Sequence, residues 1–207
     1  NLRGQQVLED LNFEIHAGEI LVVAGVQGNG QTELTETILG MHGKAAGVIE
    51  LDGNNLLGKN VKQVLDLGVG FVPEDRTEDG LVAEFTIAEN LMLDRSDRKP
   101  FAKRGVLQLE WLKNFAEEKV KQYDVRAQGI TAKASQLSGG NQQKVVLARE
   151  LSRELRLLVA SQPTRGLDVG SIEFVHEQIV ATRDAGIPVL IVATELDEAT
   201  QLGDRIA

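Results

Sequence analysis

Ile20-Leu-Val-Val-Ala-Gly25-Val-Gln-Gly-Asn-Gly-Gln-Thr32 decides the fold: an apolar run without alternation enters a glycine-rich turn, which opens a helical pattern reaching about Leu39 and closed by Gly40. An unbroken apolar run reads as a strand buried on both faces, hence inside a sheet. Strand, glycine loop and helix together aim helix-N-terminal amides at an anion. The spacing G-x-x-x-x-G-K-[ST] places Gly25, Gly30 and Thr32 at their stations, with Gln31 where the lysine stands. A competing dinucleotide pattern, G-x-G-x-x-G, uses Gly28 and Gly30 and finds Glu50 near the place of the ribose acid, but its third glycine is Glu33. That carboxylate stands where a helix must pack close and a pyrophosphate must sit. An ordinary tight turn is the third reading of the loop.

Upstream, Leu11, Phe13 and Ile15 alternate with Asn12, Glu14 and His16, which predicts a half-buried strand turned by Ala17-Gly18. Downstream, residues 48–51 with Asp52-Gly53 predict a hairpin, 61–67 a short helix, and 70–72 a short strand stopped by Pro73. Over residues 86–133 the texture changes to helices and charged loops without strand signal, an inserted helical subdomain. There Leu109, Leu112, Phe115, Ala116 and Val120 fall at helical spacing, so Trp111 and Phe115 read as packing residues, not a cofactor box. The charge-rich 94–104 segment around Pro100 reads as a solvated loop.

Leu137-Ser-Gly-Gly-Asn-Gln-Gln-Lys144 then opens a strongly helical run to Arg153. Ser138 stands at the N-cap and the glycine pair lets another molecule approach the backbone, a second anion-facing helix start. Leu155 and residues 157–160 predict a buried parallel strand ended by Ser161-Gln162-Pro163. A helix over 169–185 turns Ile172, Val175, Ile179 and Val180 to one face, with His176 flanking it as a structural residue. A strand at 189–193 and a helix at 196–202 complete the alternation, which predicts a three-layer α/β core with a parallel sheet.

Composition narrows the function classes. A length of 207 residues fits one domain, and 42% hydrophobic content builds a core. A net charge of -9 opposes a broad footprint on nucleic acid or anionic membrane. The absence of cysteine removes disulfides and thiolate metal sites, and His16, His42 and His176 are too scattered for metal spacing. No apolar run reaches membrane-spanning length, and Asn1-Leu-Arg-Gly4 lacks the basic-then-apolar pattern of a signal peptide.

Gly25 to Thr32, Leu137 to Lys144 and Gln162-Pro-Thr-Arg-Gly-Leu-Asp168, in this order, resemble the Walker A loop, signature, Walker B exit and D-loop of an ABC-transporter ATP-binding cassette, and the resemblance covers essentially the whole chain. It implies a P-loop NTPase-like three-layer core with a parallel sheet, an antiparallel β subdomain and an inserted helical subdomain. The core and β subdomain are expected over 1–85 and 140–207, and the helical subdomain over 86–139, ending in the signature. Val72-Pro-Glu-Asp-Arg76, Asp79-Gly-Leu81, Pro163-Thr-Arg165 and the Gly-Asn-Gln-Gln-Lys ending are similar to the subfamily importing simple sugars and nucleosides, whose members carry two cassettes in tandem. The glycine loop and Ser161-Gln-Pro-Thr-Arg-Gly-Leu-Asp-Val169 look most like the second, degenerate cassette of a nucleoside importer. On that resemblance Asn1 falls within the family's first strand and Ala207 before its last strands, the expectation for an excised fragment.

Carried over residue by residue, the resemblance assigns ATP binding to Gly25, Gly28, Asn29, Gly30, Gln31, Thr32 and Glu33. Gln31 replaces the lysine of the loop, Ser161 the Walker B aspartate, Gln162 the catalytic carboxylate, Thr194 the switch histidine and Glu74 the Q-loop glutamine. An amide in place of the lysine forfeits a charge-assisted hydrogen bond of about 1.5 to 3 kcal/mol, and loss of a general base costs about 10²- to 10⁴-fold. Thr32 and, weakly, Glu74 remain as Mg2+ ligands. No aromatic residue lies between Asn1 and Asp10, where the family stacks adenine. The implied site hydrolyses ATP slowly or not at all and binds nucleotide weakly.

Leu137, Ser138, Gly139, Gly140, Asn141 and Gln142, with Asp168 in the D-loop, form the preserved half, expected to face ATP held by a partner cassette on the same polypeptide. The resemblance further implies transmembrane permease subunits docked against residues 74–92, a substrate-binding protein acting through them, no nucleic-acid partner, and a peripheral place on the cytoplasmic face of the inner membrane. The alternative is a soluble, non-transport ABC ATPase acting on nucleic acid or ribosomes, disfavoured by the acidity and the signature variant. A nucleotide-binding oxidoreductase is the remaining class.

Overall fold

In a computed structural model, which describes residues 7–43 and 45–207, the decisive apolar run is strand β1 (Ile20–Ala24) and the helix after the glycine loop is α1 (Gln31–Ile38). There follow β2 (Glu50–Leu51), β3 (Asn54–Asn55), α2 (Val61–Asp66), β4 (Val69–Val72), α3 (Ile87–Met92), β5 (Ala102–Lys103), β6 (Val106–Leu107), α4 (Leu109–Gln122), α5 (Gly139–Glu150), β7 (Leu157–Ser161), α6 (Val169–Asp184), β8 (Val189–Ala193), α7 (Leu196–Leu202) and β9 (Arg205–Ile206). The chain divides into two compact units, one holding residues up to 71 with 154–163 and 176–207, the other 72–153 with 164–175.

The first unit is built on a five-stranded sheet in the order β4-β7-β8-β1-β9, with β7, β8, β1 and β9 paired in parallel. Side chains alternate faces along each strand. Leu21, Leu157, Val159, Leu190 and Val192 turn to one side and share a core with Leu34, Ile38 and Leu39 of the α1 region and Val64 of α2. The alternate set, Ile20, Val22, Leu158, Ala160, Val189, Ile191 and Ala193, is fully buried on the other side. There α7 packs on β1 and β8, and Val22 lies so close to Gly203 that a Cβ on the glycine would stand 2.9 Å away. Helices therefore cover both faces, and the three layers expected from the sequence are present. The antiparallel pair β2–β3 turns through Asp52 (φ 49) and Gly53 (φ 77), the left-handed pair that a two-residue hairpin needs. At the end of α1, Gly40 (φ 76) is obligatory: a Cβ there would fall 2.2 Å from the Lys59 carbonyl oxygen.

One expectation for this unit needs correction. Residues 11–16 form no strand: Leu11 is 50% and Phe13 41% exposed, and no described segment pairs with them. Alternation selects faces only where a ladder partner exists, because a strand is a property of a pair. Conversely β9 escaped the sequence reading, being too short to carry a period. It pairs with Leu21 and Val22, and Asp204 secures the register by accepting from the Ile20 amide at 2.8 Å while Arg183 holds its other oxygen at 3.2 Å. The expectations placed on residues 1–6, a first strand beginning at Asn1 among them, lie outside the described residues.

In the second unit α3 and α4 pack on or beside α5. Phe101, Trp111 and Phe115 meet ring to ring at centroid distances of 4.8 to 5.2 Å, so the two aromatic residues of α4 are packing residues as expected. Leu109, placed in the same stripe, is 68% exposed because it begins the first turn of α4, beyond the reach of that cluster. The β5–β6 hairpin was not anticipated: its turn uses Arg104 (φ 52) and Gly105 (φ 78), and arginine is a weak turn signal beside Asn or Asp. The C-terminal end of α5 is anchored by buried charge. Arg149 Nη1 donates to the Gly80 carbonyl at 2.7 Å and Nε to Glu150 at 2.7 Å, while Arg153 joins Glu150 to Asp94. Every member has a partner, which is the condition for burying such groups at all. No described helix is long and apolar enough to cross a membrane.

Candidate nucleotide-binding site

β1 delivers the chain to Gly25, whose amide donates to the Ala193 carbonyl at 3.1 Å and so ties the glycine loop to the end of β8. The loop closes through Asn29 N to Val26 O at 3.3 Å. Gly28 (φ 93) has open space where a Cβ would stand, and Gly30 (φ 92) caps α1 with no side-chain acceptor for its first amides. A helix start with no side-chain cap is the kind of place where an anion is held, and here Gly30 is itself buried, with Leu8 and Val7 lying against it. Gln31 is only 8% exposed, its Nε2 has no hydrogen-bond partner, and it lies 3.0 Å from where a Gly25 Cβ would be. A buried donor without an acceptor thus lies against the loop. Thr32 is exposed, and Glu33 in the first turn of α1 sets a negative charge against the dipole that an anion would use.

At the ends of β7 and β8 the structure brings two of the sequence-named positions together. Gln162 (φ 43) is fixed by its amide on the Val192 carbonyl at 2.8 Å, and its Oε1 accepts from Thr194 Oγ1 at 3.1 Å. Ser161 beside it is 4% exposed. Gln31, Ser161, Gln162 and Thr194 carry no charge at physiological pH. Mg2+ is usually bound through one or two carboxylates plus substrate phosphates. In the first unit Thr32 and Ser161 offer neutral hydroxyls, and no group of three or more His, Asp and Glu among the described residues could hold a metal. Neutral hydroxyls alone are weak ligands for Mg2+.

The second unit holds the other sequence-named residues. Ser138 caps α5, its Oγ accepting from the Asn141 amide at 3.4 Å and from Asn141 Nδ2 at 2.9 Å. Asn141 Oδ1 accepts from the Arg126 amide at 2.7 Å, and Gln142 Nε2 donates to the Ala134 carbonyl at 3.1 Å. The half-buried Leu137 leads into the cap. The glycine pair, read from the sequence as room for another molecule, has an internal reason as well. A Cβ on Gly139 would stand 2.6 Å from Arg76 Nη2, and one on Gly140 2.0 Å from Ser171 Oγ. Asp168 caps α6, accepting from the Ser171 hydroxyl at 2.7 Å and amide at 3.0 Å; those bonds hold its carboxyl below the usual aspartate range. Glu74 pairs with Arg165, whose carbonyl accepts from Arg76 Nη1 at 3.0 Å. Arg76, Arg165 and Ser171 were not named as site residues. Arg76 and Arg165 appeared only as marks of a subfamily, and Ser171 carried no signal before its neighbours were known.

A glycine loop between an interior parallel strand and a helix, followed later in the chain by a serine-capped Gly-Gly helix start, is the pattern of a P-loop nucleotide-binding cassette. The profile of the ABC transporter family matches residues 8–165, and the chain belongs to that family. It is 44% identical over 205 residues to the nucleoside import ATP-binding protein NupA of Lactococcus lactis subsp. cremoris, covering 99% of this chain and 40% of that protein. It is 43% identical, with the same coverage, to the guanosine import ATP-binding protein NupO of Bacillus subtilis. The chain thus spans about two fifths of the length of these relatives, 40% of each. Among solved structures, the dimeric post-hydrolysis state of the ATP-binding cassette MJ0796 bound to ADP and Pi matches with a TM-score of 0.80 and 25% identity, over 97% of this chain and 84% of that one.

Proposed function

We propose that this chain is the degenerate cassette of an importer for nucleosides or simple sugars, and that its signature turn completes the ATP site of a second cassette on the same polypeptide. The carrying observation is an asymmetry. The turn over Leu137, Ser138, Gly139 and Gly140 is fully built, while Gln31, Ser161, Gln162 and Thr194 leave the chain's own loop without a general base, a metal carboxylate or a cation. An amide such as Gln162 has no useful basicity. In this reading the Ser138 hydroxyl and the Gly139 and Gly140 amides close on the γ-phosphate of ATP seated on the partner's loop, and closure is passed to transmembrane permease subunits docked near residues 74–92.

The names of the relatives support the substrate class, and their greater length is compatible with a companion cassette. The chain's own loop holds ATP weakly and turns it over slowly or not at all, with Mg2+ carried by the nucleotide. Residues 86–139 act as the helical subdomain that carries the signature, and the assembly sits on the cytoplasmic face of the membrane, fed by a substrate-binding protein. Ser138→Ala in the assembled transporter tests the reading. ATP turnover is expected to fall by about tenfold or more, the loss of a charge-assisted hydrogen bond made to the reacting phosphate; unchanged turnover would sink it.

A further inference from the structure

Within the signature turn, the side chain of Asn141 donates to Ser138 Oγ at 2.9 Å. We infer that Asn141 is a positioning residue, which fixes the Ser138 hydroxyl as a hydrogen-bond donor to the terminal phosphoryl group of the partner-held nucleoside triphosphate; the inference rests on the signature turn being a phosphate clamp.

A serine hydroxyl has one hydrogen to give and two lone pairs to receive. Both lone pairs of Ser138 Oγ are engaged from the helix side, by Asn141 Nδ2 at 2.9 Å and by the Asn141 amide at 3.4 Å. Which end of the Asn141 side chain faces the serine is settled by its other bond: Oδ1 accepts the Arg126 amide at 2.7 Å, so the NH2 end is left for Ser138. The hydroxyl hydrogen then points away from α5, and Ser138 is exposed. An approaching group meets a donor and no free lone pair, an arrangement that accepts an anion's oxygen and refuses a metal ion. Two N–H donors on the same oxygen also polarise its O–H bond. A hydroxyl free to rotate spends part of its time presenting a lone pair to the phosphate; a locked one does not.

The carboxylate of Asn141→Asp separates positioning from structure. It keeps an acceptor for the Arg126 amide and places negative charge in the first turn of α5, where it is stabilising. It cannot donate to Ser138, and instead captures the hydroxyl hydrogen. In the assembled transporter, Asn141→Ala is expected to lower kcat/KM for ATP about threefold to tenfold, the range of one neutral hydrogen bond, and Asn141→Asp about tenfold to a hundredfold. Inhibition by ADP stays unchanged, because the group concerned is the third phosphate, and the melting temperature of Asn141→Asp equals or exceeds that of the parent. In the Ser138→Ala background Asn141→Asp is expected to cost nothing further, since no hydroxyl remains to misdirect. An equal loss in that background means charge repulsion alone, and it overturns the inference, as does turnover of Asn141→Asp at or above that of Asn141→Ala. Those results leave the clamp reading standing if Ser138→Ala is slow, whereas wild-type turnover of Ser138→Ala removes the clamp and the inference with it.

Discussion

Thr194 Oγ1 donates to Gln162 Oε1 at 3.1 Å, so the two positions that the family resemblance gives to a switch histidine and a catalytic carboxylate are bonded to each other and neutral. A hydroxyl–amide pair neither takes a proton from water nor holds a charge near a phosphate. Gln162→Glu alone is therefore expected to leave turnover at the background level: the new carboxylate keeps the Thr194 bond but works without a lysine or a metal carboxylate. Gln31→Lys, Ser161→Asp and Gln162→Glu together are expected to raise it by at least about tenfold, given the 10²- to 10⁴-fold worth of a general base alone. Phosphate release is measured with the partner site silenced.

Gln31 carries a buried amide group. Its buried Nε2 has no partner, and leaving a buried donor unsatisfied costs about 1 to 3 kcal/mol. Gln31→Met keeps the length and removes the orphan group, so the urea midpoint is expected to rise while ATP binding, followed by calorimetry, weakens. A fall in the midpoint would show that the amide is satisfied in solution.

Gly140→Ala places a methyl 2.0 Å from Ser171 Oγ, which itself bonds Asp168. Overpacking of this kind costs about 1 to 3 kcal/mol in chemical unfolding. Adding Ser171→Ala removes the nearer atom and is expected to recover part of the loss, a coupling that a double-mutant cycle reads directly.

Acid sensitivity follows from two depressed carboxylates. Asp168 is lowered by the Ser171 hydroxyl and amide, and Asp75 by the Thr77 hydroxyl and the amides of Thr77 and Glu78. A folded-state pKa below the unfolded one gives stability that is present above the ordinary aspartate range and lost as pH falls through that range to the folded value. Urea titrations from neutral pH into acid are expected to show this decline, and Asp168→Asn to flatten its share of the slope.

The three-layer core was legible because β1, β7 and β8 are unbroken apolar runs, and a strand buried on both faces needs no partner to be recognised. Residues 11–16 and β9 were not, for opposite reasons: the first had a period and no described partner, the second a partner and no period. In the candidate site, Gln31 could be named from the spacing of the loop, and Ser161 and Thr194 only from the family resemblance. That Gln162 and Thr194 touch, and that Arg76 and Ser171 lie against Gly139 and Gly140, could not, since those neighbours come from distant parts of the chain.

The strand order β4-β7-β8-β1-β9 also has a consequence in time. β1 is made well before both of its neighbours, β8 and β9, and the Ile20 amide waits for a carboxylate 184 residues later. Contacts of such separation form slowly, because loop closure precedes any reward. The glycine loop hangs from the end of β1 and from Ala193, so its anchorage is completed only when almost all of this sequence has been translated. The glycine loop thus takes its final form only after β8 is made, and β1 is an apolar strand that the nascent chain must shelter until then.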